Sequence, residues 1–201
     1  MRRLEKAQND RRDFSLNRWS ATFRRPERER AYLRQFLPQT QTQLRVALIV
    51  CAVFYVAFGL SDVAVLGFSD KTLLLFMARL LVAVATALGV FALFRLPQSI
   101  RAPSIVATAV EVVGMSAFMP VVLYRPHEIP WHAMSMSIML VVVHLFIPNS
   151  FVNATAVSIA TTLVFSLLAI HVGALSVSDT LTMTMLLANP DLETIFYKHL
   201  A

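Results

Sequence analysis

Residues 46–66 read VALIVCAVFYVAFGLSDVAVL, with Asp62 the one charged side chain among them. The stretch alternates with neither a period of two nor a period of 3.6. It is apolar on every side, which is the pattern of a helix surrounded by an apolar medium. At 1.5 Å per residue, a helix of this length crosses about 30 Å, the thickness of a bilayer's hydrocarbon core. Val46–Leu66 therefore reads as a transmembrane helix, and the rest of the fold follows from repeating that reading along the chain.

Four more stretches of the same kind follow: Thr72–Phe94, Pro103–Leu123, Pro130–Ile147 and Phe151–Val172. The joints between them are short and rich in helix breakers: GFSDK, RLPQSIRAP, YRPHEIPW and PNS. Joints of this length make successive helices antiparallel neighbours. Pro103 suits the first turn of its helix, and Pro120 reads as a kink near the end of the third span. A sixth segment, Leu175–Leu187, follows the joint GALSVSD. It is short, diluted by Ser, Thr and Asp179, and stopped by Asn189-Pro190. It reads either as a half-span or as a sixth helix cut off or altered before completion, the second being favoured because nothing pore-like precedes it. The expected fold is all-α: a polytopic membrane bundle of five spans plus a short or incomplete sixth, over residues 45–188, with a short tail at 189–201.

Composition agrees. The 201 residues are 57% hydrophobic and 15% charged, where an ordinary soluble domain carries about 25% charged residues. A mean hydropathy of +0.63 is more than a water-soluble chain of this size can bury. Five Gly and one Cys exclude a collagen-like chain and a disulfide scaffold, and Cys51 alone excludes a cysteine metal cluster.

The net charge of +6 is concentrated at one end. Residues 1–45 carry twelve Lys/Arg against five acids, a net +7, which leaves −1 for the other 156 residues. No nucleic-acid-binding fold precedes the spans, so the tail reads as a cytoplasmic segment facing anionic lipid head groups through Arg24, Arg25, Arg28, Arg30, Arg34 and Arg45. Within residues 1–44, the stretch 26–44 reads as an amphipathic interfacial helix with Tyr32, Leu33, Phe36 and Leu37 on its apolar stripe, broken near Pro38. The apolar stretch starts too late for a cleavable signal peptide. Arg95 and Arg101 flank the second joint, on the same side as the basic tail, so the N-terminus is expected in the cytosol and joints 67–71, 124–130 and 173–179 outside.

Ionisable groups inside a bilayer need partners. Asp62, late in span one, and Arg79, early in span two, match in depth and suit a buried pair clamping adjacent helices. Glu111 in span three and His144 in span four come to similar heights. They suit a hydrogen-bonded core pair, a proton-sensitive element, or an imidazole oriented for haem or metal. His127, Glu128, His132 and His171 share the outer rim. They are either solvated or a zinc or copper set. Ala83, Ala87, Gly89, Ala154, Ser158 and Ala160 suit close helix packing. No phosphate loop, dinucleotide fingerprint, HExxH or GxSxG is present, and the spans lack the interruptions of a transporter site, so no catalytic residues and no required cofactor are expected.

The stretch FRRPERERAY (23–32), then QLR (43–45), then FYVAFGLSD (54–62) resembles the N-terminal membrane region of bacterial class III adenylate cyclases and diguanylate cyclases. In that family a charged lead-in, an Arg at the membrane entry and F-x-x-x-D near the end of span one precede a six-helix bundle. Arg45 and Asp62 are the matching positions, and the resemblance covers roughly residues 20–187. It implies a sensory or anchoring module of a nucleotide second-messenger protein in the bacterial inner membrane, working as a homodimer. The cyclising activity does not carry over, because no residue here corresponds to a catalytic domain. The alternative is an accessory membrane subunit or a haem- or metal-binding membrane protein using His144, His171 and the rim histidines.

Overall fold

The computed structural model describes residues 22–23 and 25–172. Its regular elements are helices: α1 (Pro26–Leu66), α2 (Asp70–Arg95), α3 (Ala102–Tyr124), α4 (Ile129–Phe146) and α5 (Phe151–His171), with a 3-10 turn at Pro126–Glu128 before α4. Five of the described helical segments are long and apolar enough to cross a membrane. The sixth segment, Leu175–Leu187, the tail 189–201 and Arg24 lie outside the described residues.

Local chemistry explains the helix ends. α1 starts with Pro26 in its first turn, where the missing N–H is no loss, and with Glu27 and Glu29 against the positive end of the helix dipole. The Glu29 carboxylate also accepts the Phe23 N–H at 2.9 Å. α1 stops at Gly67, whose φ of 64° is the left-handed conformation that glycine adopts without a Cβ clash. Ser69 and Ser150 cap α2 and α5, their hydroxyls accepting N–H groups from Thr72 and Asn153, each at 3.3 Å.

One element departs from the sequence expectation. Pro38 does not break the N-terminal helix: residues 26–44 and the first span are one continuous α1 of 41 residues. Proline removes one backbone donor and crowds the preceding turn, but its neighbours Leu37, Gln41 and Leu44 are buried. The Gln41 amide donates to the Leu96 and Pro97 carbonyls at 3.4 and 3.2 Å, holding this part of α1 against the end of α2. At 1.5 Å per residue, α1 is about 60 Å long, twice a hydrocarbon core. The boundary expected at residue 44 thus falls inside a helix.

α3 is the centre of the bundle, packed on α2 at one side and on α5 at the other. Leu44, Leu48, Leu93, Ala102 and Ala107 form one core between α1, α2 and α3. A second core joins α3, α4 and α5 and includes Phe118, Val122, Met136, Leu140 and Phe165. Gly89 brings α2 close to α3: a Cβ there would stand 2.8 Å from a Val106 methyl. Many large apolar side chains face outward, among them Phe54, Leu60, Leu88, Ile105 and Leu167. An outer surface of this kind is stable against lipid and not against water.

Candidate functional site

Two buried polar clusters occupy opposite ends of the bundle. The first lies where α1 ends and α2 begins. Asp62 of α1 is 1% exposed, so its carboxylate has left solvent entirely. Arg79 of α2 donates from Nε to Asp62 Oδ2 at 2.6 Å, and Arg125 donates from Nη1 to Asp62 Oδ1 at 2.9 Å. Arg125 also reaches Glu128 through Nη2. Two guanidinium groups and two carboxylates therefore balance, with Glu128 the most solvent-exposed of the four.

Around this quartet, Arg79 Nη1 donates to the Tyr55 carbonyl at 3.3 Å, and its guanidinium lies 5.6 Å from the Tyr55 ring and 5.9 Å from the Phe58 ring. The Tyr55 hydroxyl donates to the Gly114 carbonyl at 2.5 Å, carrying the contact on to α3. The cluster thus ties α1, α2, α3 and the α3–α4 joint together. A buried ion pair in apolar surroundings is held by geometry and mutual hydrogen bonds, and losing one partner leaves an uncompensated charge.

The second cluster lies at the end of the bundle where α3 begins and α4 passes to α5. Asn149, in that joint, accepts from the Ser104 hydroxyl at 2.9 Å and from the Ser150 N–H at 2.7 Å. Its amide donates to Thr108 Oγ1 at 3.0 Å and to Glu111 Oε2 at 2.9 Å. The Asn153 amide donates to Thr108 Oγ1 at 3.2 Å. Glu111 is 5% exposed, and its Oε1 is buried without a hydrogen-bond partner. A groove of about 500 Å³ beside the cluster is lined by Ile105, Thr108, Ala109, Val112 and Asn153.

Asp62 and Arg79 are joined directly. Glu111 and His144 make no hydrogen bond to each other: Glu111 is held by Asn149, while His144 Nδ1 donates to the Leu140 carbonyl one turn back at 2.9 Å. The rim residues do not all come together, although His132 and Glu128 both lie beside Arg125. His127 and His171 are exposed, Glu128 is drawn to Arg125, and His132 is buried edge-on against Phe118 at 6.1 Å between ring centroids. Among the described residues no three His, Cys, Asp or Glu side chains come together as a metal set. Arg28, Arg30 and Arg34 are exposed along α1. Arg25 is also exposed, at the cap of α1. Arg45 is half-buried. It donates to the Leu93 carbonyl at 3.2 Å and stacks over the Phe94 ring at 4.0 Å, because α1 continues past it against α2.

Arg125 and Asn149 are the residues that sequence reasoning missed. Arg125 directly follows α3, which ends at Tyr124, and lies in the joint YRPHEIPW. Asn149 lies in the joint PNS, one of those rich in helix breakers. In both cases the signal was a polar side chain within two residues of a span end, close enough to fold back inside. No family model, curated protein or solved structure matches the chain.

Proposed function

We propose that the chain is a sensory or anchoring module of the bacterial cytoplasmic membrane, with its N-terminus in the cytosol, coupled to nucleotide second-messenger signalling and itself without catalytic activity. The observation that carries the reading is the convergence of Arg79 and Arg125 on Asp62. Three separate elements meet on one buried carboxylate. Whatever draws Arg125 away from Asp62 loosens the α3–α4 joint from the α1–α2 pair, and a shift of packed helices is the usual output of such a device. Glu128, at 30% side-chain exposure, is the group through which an outside ligand would reach Arg125. The lead-in FRRPERERAY and the Phe58–Asp62 pattern support the second-messenger assignment by resemblance. Exposed Arg28, Arg30 and Arg34 along α1 suit anionic head groups or a second copy of the chain as partners.

The test is to remove the chain from its own cell and measure the cyclic nucleotide and cyclic dinucleotide pools. The expected result is a shift in one pool, restored by the wild-type chain and not by a membrane-inserted Arg125→Ala variant. Pools that do not respond to loss of the chain would sink the signalling assignment.

A further inference from the structure

The quartet around Asp62 carries its own countercharges; the cluster around Glu111 has no arginine or lysine among the described residues, and the titratable group acting on it is the His144 imidazole of α4. No Arg or Lys among the described residues pairs with Glu111, and its bonded partner is the neutral Asn149 amide. Its second oxygen, Oε1, is sealed from solvent with nothing to bond. A carboxylate in that position, within a helix long and apolar enough to span the membrane, is unfavourable by several kcal/mol unless a positive charge joins it. We infer that Glu111, with Thr108 and Ser104 beside it, forms a binding site for one monovalent cation, either a proton or an alkali-metal ion.

The surroundings fit that chemistry. Thr108 Oγ1 and Ser104 Oγ lie in the same hydrogen-bonded cluster, one and two turns back along α3; Thr108 Oγ1 already accepts from the Asn149 and Asn153 amides, so an alkali ion drawing on it would displace one of them. Asn149 binds Glu111 Oε2 and leaves Oε1 for the cation, so a proton enters without breaking the network. Bound as a proton, the cation turns the carboxylate into a neutral carboxyl with its O–H on Oε1. Bound as an alkali ion, it keeps the carboxylate and neutralises it in place. Other ionisable groups facing the cluster are few. α4 brings His144, whose Nδ1–H is committed to the Leu140 carbonyl. α1 brings Tyr55, bonded to Gly114, and Arg45, bonded to Leu93. α2 has Arg95 over its own Phe91 ring, and α5 faces the cluster with uncharged Asn153. The site joins α3 to the α4–α5 joint, so its occupancy bears on how those elements pack. It does not depend on the signalling assignment above.

The experiment follows the thermal unfolding of the full chain in zwitterionic nanodiscs, in choline chloride, from about pH 5 to about pH 9. A native state that holds a proton on Glu111 binds more protons than the unfolded chain. The wild-type Tm then falls as pH rises, by about 4 °C or more. Glu111→Gln, neutral at every pH, is expected to flatten that dependence, and His144→Gln to leave it. Sodium or potassium chloride added at high pH separates the two sources. Recovery of Tm in the wild type and not in Glu111→Gln identifies an alkali ion, and no recovery identifies the proton. The same pH dependence in Glu111→Gln as in the wild type, or a wild type indifferent to both pH and alkali cations, overturns the inference. If Glu111→Gln does not fold, infrared difference spectra of the wild type decide instead. A protonated-carboxyl band that vanishes on raising pH and moves in Glu111→Asp supports the site. Absence of such a band, together with indifference to alkali cations, overturns it.

Discussion

Asp62 accepts hydrogen bonds from two arginines that lie 17 and 63 residues further along the chain. The asymmetry of such a cluster makes its members unequal. Asp62→Asn keeps the shape but strands the buried Arg79 guanidinium and leaves Arg125 with Glu128 alone, and the expected loss of stability is on the order of 3–5 kcal/mol. Arg125→Ala leaves Asp62 with Arg79 and opens one carboxylate oxygen, for a loss of about 1–3 kcal/mol. Glu128→Gln removes a partly solvated partner and is expected to cost less than about 1 kcal/mol. Thermal unfolding of the three variants in one detergent checks the order, and a Glu128→Gln loss as large as that of Asp62→Asn contradicts it. Arg79→Lys tests shape at constant charge. A lysine cannot hold Asp62 and the Tyr55 carbonyl together as the guanidinium does, so this variant is expected to lose stability despite its charge.

At the scale of elements, α1 shows where local rules yield. Proline inside a helix costs about 3 kcal/mol relative to alanine. At Pro38 the cost is met within a helix anchored on either side by Gln41 against α2 and by the charged first turn. Pro38→Ala is therefore expected to raise stability by about 1–3 kcal/mol, read as a higher Tm with unchanged helix content by circular dichroism. The glycines of α2 and α3 separate packing from propensity in the same way. Gly89 faces Val106 with no room for a Cβ, whereas a Cβ at Gly114 meets nothing within 4 Å. Gly89→Leu is expected to cost about 1–3 kcal/mol by overpacking. Gly114→Ala is expected to gain up to about 1 kcal/mol from helix propensity alone.

For the whole molecule, the apolar exterior removes the usual driving force. Lipid tails are as apolar as leucine, so helices here are held by close packing and polar contacts, and not by escape from solvent. The two cores and the two polar clusters supply those contacts, with α3 shared by all of them. The charge asymmetry between the basic first 45 residues and the rest predicts which side faces the cytosol. A membrane-impermeant thiol reagent applied to intact cells is expected to label Phe68→Cys and not Gln98→Cys, both exposed positions in joints at opposite ends of the bundle. Labelling in the reverse pattern would invert the topology.

The sequence by itself determined five long apolar helices, placed to within about two residues except at the start of α1, because a bilayer admits only one chain geometry for such stretches. It also singled out Asp62 and Arg79, since lone charges stand out against an apolar background. The tertiary structure decided which groups each charge meets. Arg125 and Asn149 lie in joints whose side chains can turn toward water or back into the bundle, and no local pattern distinguishes the two. Pro38 is of the same kind. Its local preference is to end a helix, and packing of Leu37, Gln41 and Leu44 on distant parts of the chain overrides it.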